Sequence, residues 1–307
     1  MFIRILGSAA GGGLPQWNCN CPNCTLARQA TGRVTPRTQS SIAVSSDGRK
    51  WLLLNASPDI RQQIAATPEL QPRPGDGLRA SPIASVVITG GDVDHVAGLL
   101  CLREGQPFSV YATPRVLTAL ANNPIFNVLD PALVERITVQ LDQPFTPDGL
   151  ENLSIEPFAV PGKVALWLED REGGPRFGTA EGDAIGLKVS NSATGRFFYF
   201  IPSCAQVAPP LADRLRGAPL VFFDGTLFTD DEMIASGLSS KTGTRMGHIS
   251  MSGAEGSLAE LAKLGIRRRI FIHINNSNPV LRRASPERAM VEDAGWEIAE
   301  DGMEIRL

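Results

Sequence analysis

Short apolar runs rich in β-branched residues recur along the 307-residue chain, and turn-forming residues separate them. Runs of this length and composition are typical of β-strands. The pattern predicts strands at Phe2–Leu6, Ser41–Val44, Trp51–Leu54, Ser85–Thr89, Ser109–Tyr111, Leu153–Phe158, Ile185–Val189, Arg196–Ile201, Leu220–Phe223, Arg269–His273, Trp296–Ile298 and Met303–Leu307.

Between these runs, apolar residues recur at helical spacing. Gly265 and Gly295 follow the last two of these segments, as expected beyond a helix C-terminus. Strands that alternate with helices predict a layered α/β protein whose sheets are covered by helices. The predicted helices are Asp59–Ala66, Pro114–Asn122, Pro210–Leu215, Gly253–Leu264 and Pro286–Ala294.

Two polar segments are expected to be irregular. Gln71–Pro82 is short and rich in Pro and Gly, which predicts a loop, and the Gly-rich Lys163–Asp183 predicts a flap over the sheet edge. The chain contains no long internal repeat and no low-complexity linker. We therefore expect a single domain over residues 1–307.

The composition excludes several classes of protein. Hydrophobic residues make up 43% and charged residues 20%, so the chain is not of the disordered type, and a net charge of −3 gives no electrostatic basis for binding nucleic acid. No stretch approaches the ~18 apolar residues of a membrane span, and Met1–Gly7 lacks the apolar core of a signal peptide. We expect a cytoplasmic protein with neither membrane nor nucleic-acid partners.

Three of the five cysteines lie close together, at Cys19, Cys21 and Cys24, in a segment that also contains Asn and Pro. Such spacing favours a metal site in a reducing compartment over disulfide bonds. Because closed thiolate-rich sites suit Zn²⁺, we predict a structural zinc ion there. The fourth ligand is open, and Asn276 is our first choice. Cys101 and Cys204 are expected to lie in the core or to line a site.

A second cluster of metal-ligand types follows the apolar run that ends at Thr89. The segment continues Gly90-Gly91-Asp92-Val93-Asp94-His95-Val96-Ala97-Gly98-Leu99, as if a strand ended in a metal-binding loop and a helix began there. It resembles the T-H-x-H-x-D-H-x-x-G-L motif of the metallo-β-lactamase superfamily. In this chain Gly90 and Asp92 replace the two leading histidines, whereas Asp94 and His95 are kept. The resemblance implies an αββα sandwich.

His273 ends another apolar strand, Arg269–His273, where a rigid backbone and an open loop suit a metal ligand. Together with Asp94 and His95 it gives two histidines and one carboxylate. This set leaves open positions for O₂ and substrate, and it is typical of non-haem Fe²⁺ oxygenases. We predict Fe²⁺ at these three residues.

Several residues that would be ligands in a two-metal site of this superfamily are missing from the chain. A dinuclear hydrolase needs more ligands, to hold two ions ~3.5–4 Å apart. Gly90 lacks a side chain, and the segments Val160–Lys163 and Phe200–Cys204 contain no histidine or carboxylate where the superfamily has further ligands. These substitutions predict one metal ion at the active site.

Three more residues near this site have roles that the sequence leaves open. His248 is interpreted as a proton shuttle, as a residue that orients Asp94, or as a histidine bonded to backbone at a helix entry. Asp224 follows an apolar run and is expected to complete the metal shell or to bind a substrate amine. Asp92 is a candidate ligand, a support for a ligand or a substrate contact.

Unusual strings of residues recur along almost the whole chain. They are Gly7–Gly13, Pro15–Cys21, Pro36–Ser41, Asn55–Ile60, Leu102–Gly105, Asp224–Thr226, Met246–His248, His273–Asn276 and Asp301–Met303. Through these segments the chain resembles the coenzyme PQQ synthesis protein B family. The resemblance implies the αββα fold, a structural zinc and a place in the synthesis of pyrroloquinoline quinone (PQQ).

For activity, the resemblance implies an iron- and O₂-dependent hydroxylase that acts on the tyrosine ring of a Glu–Tyr-derived intermediate. The expected ligand is accordingly a small peptide-derived or quinone molecule. A homodimer and contacts with other proteins of the PQQ pathway stay open. Two alternatives stay open as well: a carrier that moves PQQ or its precursor toward the periplasm, and a metal-dependent hydrolase.

Overall fold

The structure, a computed structural model, describes residues 1–169 and 180–307. Residues 170–179 of the predicted flap Lys163–Asp183 lie outside the described residues, whereas Gln71–Pro82 contains no strand or helix, as expected. The strands are β1 Phe2–Gly7, β2 Ser41–Ser45, β3 Trp51–Leu54, β4 Ile83–Val87, β5 Phe108–Ala112, β6 Val134–Thr138, β7 Leu153–Ala159, β8 Ile185–Asn191, β9 Phe197–Ile201, β10 Val221–Asp224, β11 Arg269–Ile272, β12 Trp296–Ile298 and β13 Glu304–Arg306.

The helices are short, and several begin with a proline whose missing N–H is not needed in the first turn. They are α1 Pro22–Arg28, α2 Ile60–Ala66, α3 Val93–Val96, α4 Pro114–Ala121, α5 Pro209–Leu215, α6 Glu232–Ala235, α7 Gly243–Met246, α8 Ser257–Ala262 and α9 Pro286–Asp293. Turns of 3-10 helix lie at Pro68–Leu70, Ala97–Leu102, Pro124–Val128, Leu166–Leu168 and Pro279–Leu281.

Among the described residues the strands form two mixed sheets. The first has the order β13-β1-β2-β3-β4-β5-β6, and the second has the order β12-β11-β10-β9-β8-β7. In the first sheet β3 to β6 are parallel, and in the second β9 to β12 are parallel. Ligands in open α/β sheets bind outside the carboxyl ends of such parallel strands, so these ends are where a site is expected.

One apolar layer lies between the two sheets. Ile5 and Leu54 of the first sheet belong to the same buried cluster as Phe200, Phe222 and Ile270 of the second, and all five side chains are inaccessible to solvent. Burial of this kind is the main favourable contribution to folding.

Helices cover the outer face of each sheet. Ile60 and Leu120 of α2 and α4 pack in an apolar cluster on the first sheet, and Leu261 and Val291 of α8 and α9 pack in another on the second. The αββα sandwich predicted from the sequence is confirmed. Among the described residues, no helix combines the length and the apolar character that crossing a bilayer requires.

Several local predictions were wrong, and the one-turn helices α6 and α7 were not predicted. Strand β6 was missed because its alternation of buried and exposed residues is weak at the sheet edge. Helix α1 was missed because the cysteine segment was interpreted as a loop, although Cys21 caps the helix with its sulfur. Helix α8 begins later than predicted, since Gly253 has a φ of +96°, which no right-handed helix contains.

Gly98 docks the turn that follows α3 against the loop after β3. Its N–H donates to the Ala56 carbonyl at 2.9 Å, and a Cβ there would lie 2.2 Å from the Ser57 carbonyl oxygen. We predict that Gly98→Ala lowers the free energy of unfolding by about 2 kcal/mol, since backbone must shift to admit the methyl group. Urea unfolding measures the change. Gly91→Ala is the matched control, because its Cβ meets nothing closer than 3.5 Å; an equal loss in both variants would contradict the prediction.

Candidate metal centres

Asp94, His95 and His273 come together at the carboxyl ends of β4 and β11. Asp94 and His95 lie in the short helix α3, whose first turn is closed by hydrogen bonds from the His95 and Val96 amides to the Asp92 carbonyl. His273 follows β11 and takes a left-handed backbone with φ of +60°. The ligand atoms of Asp94, His95 and His273 all lie within 4.8 Å of one another. Sequence reasoning had grouped these same three residues.

The three side chains are arranged around one point. The Asp94 Oδ2 atom lies 2.8 Å from His273 Nε2 and 3.9 Å from His95 Nε2. The two imidazole rings are 5.7 Å apart at an angle of 66°, so they approach that point from different directions. A carboxylate and two rings in this arrangement occupy one side of an ion and leave the other side open.

Charge and hydrogen bonding suit a cation here. Burial raises the pKa of Asp94, but the neighbouring His95 and His273 outweigh burial and bring this pKa below its usual range, so the carboxylate is ionised. Burial lowers the pKa of His95, which favours the neutral imidazole that metals bind. Both ring nitrogens of His95 are buried without a hydrogen-bond partner among the described residues. A bound ion would satisfy one of them.

Asp224 positions His248 directly and His273 through Thr226. This carboxylate is fully buried at the end of β10 and accepts hydrogen bonds from the Cys204 amide at 2.8 Å and the Thr226 amide at 3.0 Å. It also accepts from the Thr226 hydroxyl at 2.7 Å and lies 2.7 Å from His248 Nδ1. The sequence left a metal ligand or an amine receptor open for Asp224; the structure surrounds this carboxylate with donors of the protein and also places it within 4.8 Å of ligand atoms of His248 and His273.

Thr226 links Asp224 to His273 by hydrogen bonds. Because the Thr226 hydroxyl donates to Asp224, its oxygen accepts a hydrogen bond from the Nδ1–H of His273, 2.9 Å away. The other ring nitrogen, Nε2, lies 2.8 Å from Asp94 Oδ2 and donates a hydrogen bond to it, so an ion bound at Nε2 would displace that proton. Hydrogen bonds of this kind fix the tautomer of metal-bound histidines. Burial lowers the pKa of His273, but the bond to Asp94 outweighs it and the pKa is raised. Sequence reasoning missed Thr226, although the segment Asp224-Gly225-Thr226 stood out as unusual.

His248 lies beside His273 and is the more accessible of the two. Its ring stacks on the His273 ring with centroids 5.3 Å apart, and its side chain is 14% exposed. Asp224 accepts a hydrogen bond from the Nδ1–H of His248, so the Nε2 atom of that ring holds the lone pair. Asp224, His248 and His273 also satisfy the spacing of a metal site, with ligand atoms within 4.8 Å.

Glycines let the main chain approach the centre. A Cβ on Gly90 would lie 3.4 Å from the His95 ring, and a Cβ on Gly11 would lie 3.6 Å from the Asp94 carboxyl. Both are ordinary van der Waals distances, so these glycines place the main chain directly beside the centre without excluding a small side chain. Asp92 belongs to neither group of clustered ligands, but its charge raises the pKa values of His95 and His273.

The three clustered cysteines form a separate buried group. The ligand atoms of Cys19, Cys21 and Cys24 lie within 4.8 Å of one another, at the start of α1. Backbone amides donate to all three sulfurs at 3.3–3.5 Å, an arrangement that stabilises thiolates. Burial raises the pKa of the Cys21 thiol to about 12, so that an ion would displace its proton on binding.

Asn276 completes the surroundings of these sulfurs. Its side-chain amide nitrogen lies 3.2, 3.7 and 3.3 Å from the sulfurs of Cys19, Cys21 and Cys24 respectively. A half-turn of the amide brings its oxygen, which is a metal-ligand type, to the same point. The structure therefore brings together all four residues that the sequence grouped for zinc. Asn276 comes three residues after His273, so one loop serves both groups.

Comparisons with known proteins agree with this architecture. Residues 50–274 match the model of the Beta-lactamase superfamily domain. Coenzyme PQQ synthesis protein B of Methylorubrum extorquens strain PA1 is 53% identical over 307 residues, covering 100% of both chains, and that of Bradyrhizobium diazoefficiens is 53% identical over 309 residues, covering 99% of both.

The chain belongs to the coenzyme PQQ synthesis protein B family. A crystal structure of Zn²⁺-bound PqqB from Methylobacterium extorquens covers 100% of both chains with a TM-score of 0.95 and 53% identity. A diphosphatase of the PhnP family, 20% identical with a TM-score of 0.68 over 100% of this chain and 97% of its own, shares the fold alone. The fold and the family expected from the sequence are thus confirmed.

We predict that the cysteine group and the histidine group bind zinc independently. Protein loaded with Zn²⁺ should hold about two equivalents, and Cys24→Ser should lose about one, since a missing thiolate breaks a closed site. Elemental analysis after gel filtration measures this. Cys101→Ser is the matched control, because Cys101 lies in neither ligand group. Retention of both equivalents by Cys24→Ser would contradict the cysteine site.

Glu232 of α6 supports the loop that both metal groups share. The carboxyl group accepts hydrogen bonds from the Phe228 amide at 2.7 Å and from the Ser277 hydroxyl at 2.5 Å, one residue after Asn276. Burial raises the pKa of Glu232 to about 7, despite these donors. The folded protein therefore keeps a proton there that the unfolded chain releases near the ordinary glutamate pKa of 4.5.

This shift predicts a pH dependence of stability. The contribution of Glu232 to the free energy of unfolding is fully present below about pH 4.5. It is lost as the pH rises through about 7, because the folded state binds the proton more tightly than the unfolded state does. In the wild type we expect the free energy of unfolding to decline by on the order of 2 kcal/mol across this pH range, and we expect Glu232→Gln to remove that decline. Urea unfolding at several pH values measures it, with the exposed Glu292→Gln as control. The same decline in Glu232→Gln and wild type would contradict the assignment.

Proposed function

We propose that the chain is an iron- and O₂-dependent hydroxylase in the synthesis of coenzyme PQQ, acting on the tyrosine ring of a small Glu–Tyr-derived substrate. The observation that carries this proposal is the group formed by Asp94, His95 and His273. One ionised carboxylate and two imidazoles on one side of an ion leave positions for O₂ and a substrate oxygen. The names of relatives 53% identical over the full chain support the pathway.

The same group favours one ion over two. A second ion would be held by Asp224, His248 and His273, but Asp224 already accepts hydrogen bonds from Cys204, Thr226 and His248. Binding a cation there would break bonds that hold His273 in place. A dinuclear hydrolase is therefore less compatible with this arrangement than a mononuclear oxygenase.

Fe²⁺ bound at this centre would supply the activation of O₂ that ring hydroxylation requires. Three groups of the protein make this position suitable for a cation. Asp94 supplies the negative charge, His95 presents ring nitrogens without a hydrogen-bond partner among the described residues, and the Thr226 hydroxyl holds the His273 ring with its Nε2 atom toward Asp94.

His248 gives the site a proton acceptor. Because the Nδ1–H of His248 donates to Asp224, the Nε2 atom of this partly exposed side chain holds the lone pair. A histidine oriented by a buried carboxylate is a common general base. We assign it to take up the phenolic proton of the substrate, which makes the ring richer in electrons and easier to oxidise.

The direct test is reconstitution with Fe²⁺ under anaerobic conditions, followed by O₂ and a Glu–Tyr dipeptide. We expect O₂ consumption and a product heavier by one or two oxygen atoms, and neither with zinc-loaded protein. Replacement of His273 by Ala should abolish the product and leave the cysteine-bound zinc in place. His273→Asn repeats the test with a residue that tolerates a positive φ.

Two results would overturn the proposal. Full hydroxylation by both His273 variants would remove the assigned ligand from the mechanism. No O₂ consumption by the iron-loaded protein, together with tight binding of PQQ itself, would favour a carrier that moves PQQ or its precursor.

A further inference from the structure

The turn Ala10–Gly13 passes directly beside the centre formed by Asp94, His95 and His273. A Cβ added to Gly11 would lie 3.6 Å from the carboxyl carbon of Asp94 and 3.7 Å from its Oδ2 atom. That oxygen faces the two imidazoles, because it lies 2.8 Å from His273 Nε2 and 3.9 Å from His95 Nε2. Any side chain at position 11 would therefore begin beside the oxygen that faces an ion.

The shape of the turn does not require glycine at position 11. The Gly13 amide donates to the Ala10 carbonyl at 3.1 Å, which closes a four-residue β-turn with Gly11 and Gly12 at its centre. Gly12 has a φ of +92°, which favours glycine, whereas the φ of Gly11 lies outside the left-handed region. Gly12 therefore has a backbone reason to be glycine, and Gly11 does not.

The turn is held on both sides, so it cannot easily move away from the centre. On one side the Ala10 amide donates to the Ile274 carbonyl at 2.9 Å. On the other side the Gly12 amide donates to Gln39 Oε1 at 3.0 Å. The backbone and side-chain amides of Gln39 in turn donate to Asp59 Oδ2 at 2.8 and 3.0 Å. A side chain added to the turn would therefore occupy the space in front of it.

That space lies on an accessible side of the centre. Of the three ligand side chains, Asp94 is the most accessible, at 11% exposed against 4% for His95 and 7% for His273. Gly11, whose Cβ position adjoins the Asp94 carboxyl group, is itself exposed. Both ring nitrogens of His95 lack a hydrogen-bond partner among the described residues, which suits a centre that takes up ligands. A ligand that reaches the ion on the Asp94 side passes over Gly11.

We propose that Gly11 determines which ligands reach the ion, because its missing side chain leaves room beside Asp94 Oδ2 for a flat aromatic ring. An alanine Cβ would make an ordinary van der Waals contact there, whereas a larger side chain would extend into the space that the ring needs. Gly11 is thus a specificity-determining residue. The aromatic class of the ligand rests on the proposed function, and the open space rests on the turn.

Visible absorption of Co²⁺-loaded protein, titrated without O₂, tests this without turnover. The probes are azide, a small linear anion, catechol, a flat ring with metal-binding oxygens, and the Glu–Tyr dipeptide. We expect Gly11→Leu to weaken binding of catechol and of the dipeptide by about tenfold or more and to change azide binding by less than about twofold, because only a ring needs the space that leucine fills.

Two smaller variants and one control complete the series. Gly11→Ala and Gly11→Val should fall between the wild type and Gly11→Leu in order of size, and they carry the test if the leucine variant does not fold. Elemental analysis should show the same metal content in every variant. Ala193→Leu is the matched control, because it adds an apolar side chain to the exposed turn between β8 and β9, outside the candidate ligand groups.

The outcomes separate this proposal from the assigned substrate. Catechol affinity within about twofold of the wild type in every Gly11 variant would overturn the proposal, as would no catechol binding by the wild type. Equal weakening of azide and catechol, or loss of Co²⁺, would also overturn it, since the turn would then support the ion and not the approach to it. Catechol binding that falls with the size of residue 11, without dipeptide binding by the wild type, would support the role of Gly11 and reject the Glu–Tyr substrate.

Discussion

The buried carboxylate of Asp224 is the constraint on which the centre depends. A charge with no solvent contact is stable only when donors surround it, and here the donors are two backbone amides, a hydroxyl and an imidazole. Each donor belongs to a segment that contributes to the site. Because the Asp224 carboxyl group is fully buried, the loop after β9, the turn after β10 and His248 must all converge on it to satisfy its oxygens.

This convergence explains how a sandwich of two sheets presents a precise group of ligands. β10 and β11 are parallel neighbours, so Asp224 and His273 leave the sheet side by side. Thr226 bridges them, and the strained backbone at His273 is held by its neighbours, since the Ile274 and Asn275 amides donate to the Ser8 and Thr226 carbonyls. The first sheet then brings Asp94 and His95 to a scaffold that is already ordered.

The sequence predicted which candidate ligands come together better than it predicted the residues that support them. Asp94, His95 and His273 were recognisable because polar metal-ligand types interrupt apolar strands, and Asn276 because the chain turns after one of them. Asp224 shows the same pattern, but its partners are a distant backbone amide and a threonine hydroxyl, which periodicity does not reveal. Helix α1 was not predicted because it lacks the usual N-cap residue, Ser, Thr, Asn or Asp. The sulfur of Cys21 caps it instead.

The shared loop at His273–Asn276 has a consequence for how the protein is made. The cysteines lie within the first twenty-four positions of the chain, and their partner Asn276 lies 255 positions after Cys21. The first and last strands, β1 and β13, are also paired with each other. Neither candidate centre can be complete until almost the whole chain has been synthesised, so Cys19, Cys21 and Cys24 stay without their partner Asn276 during most of translation.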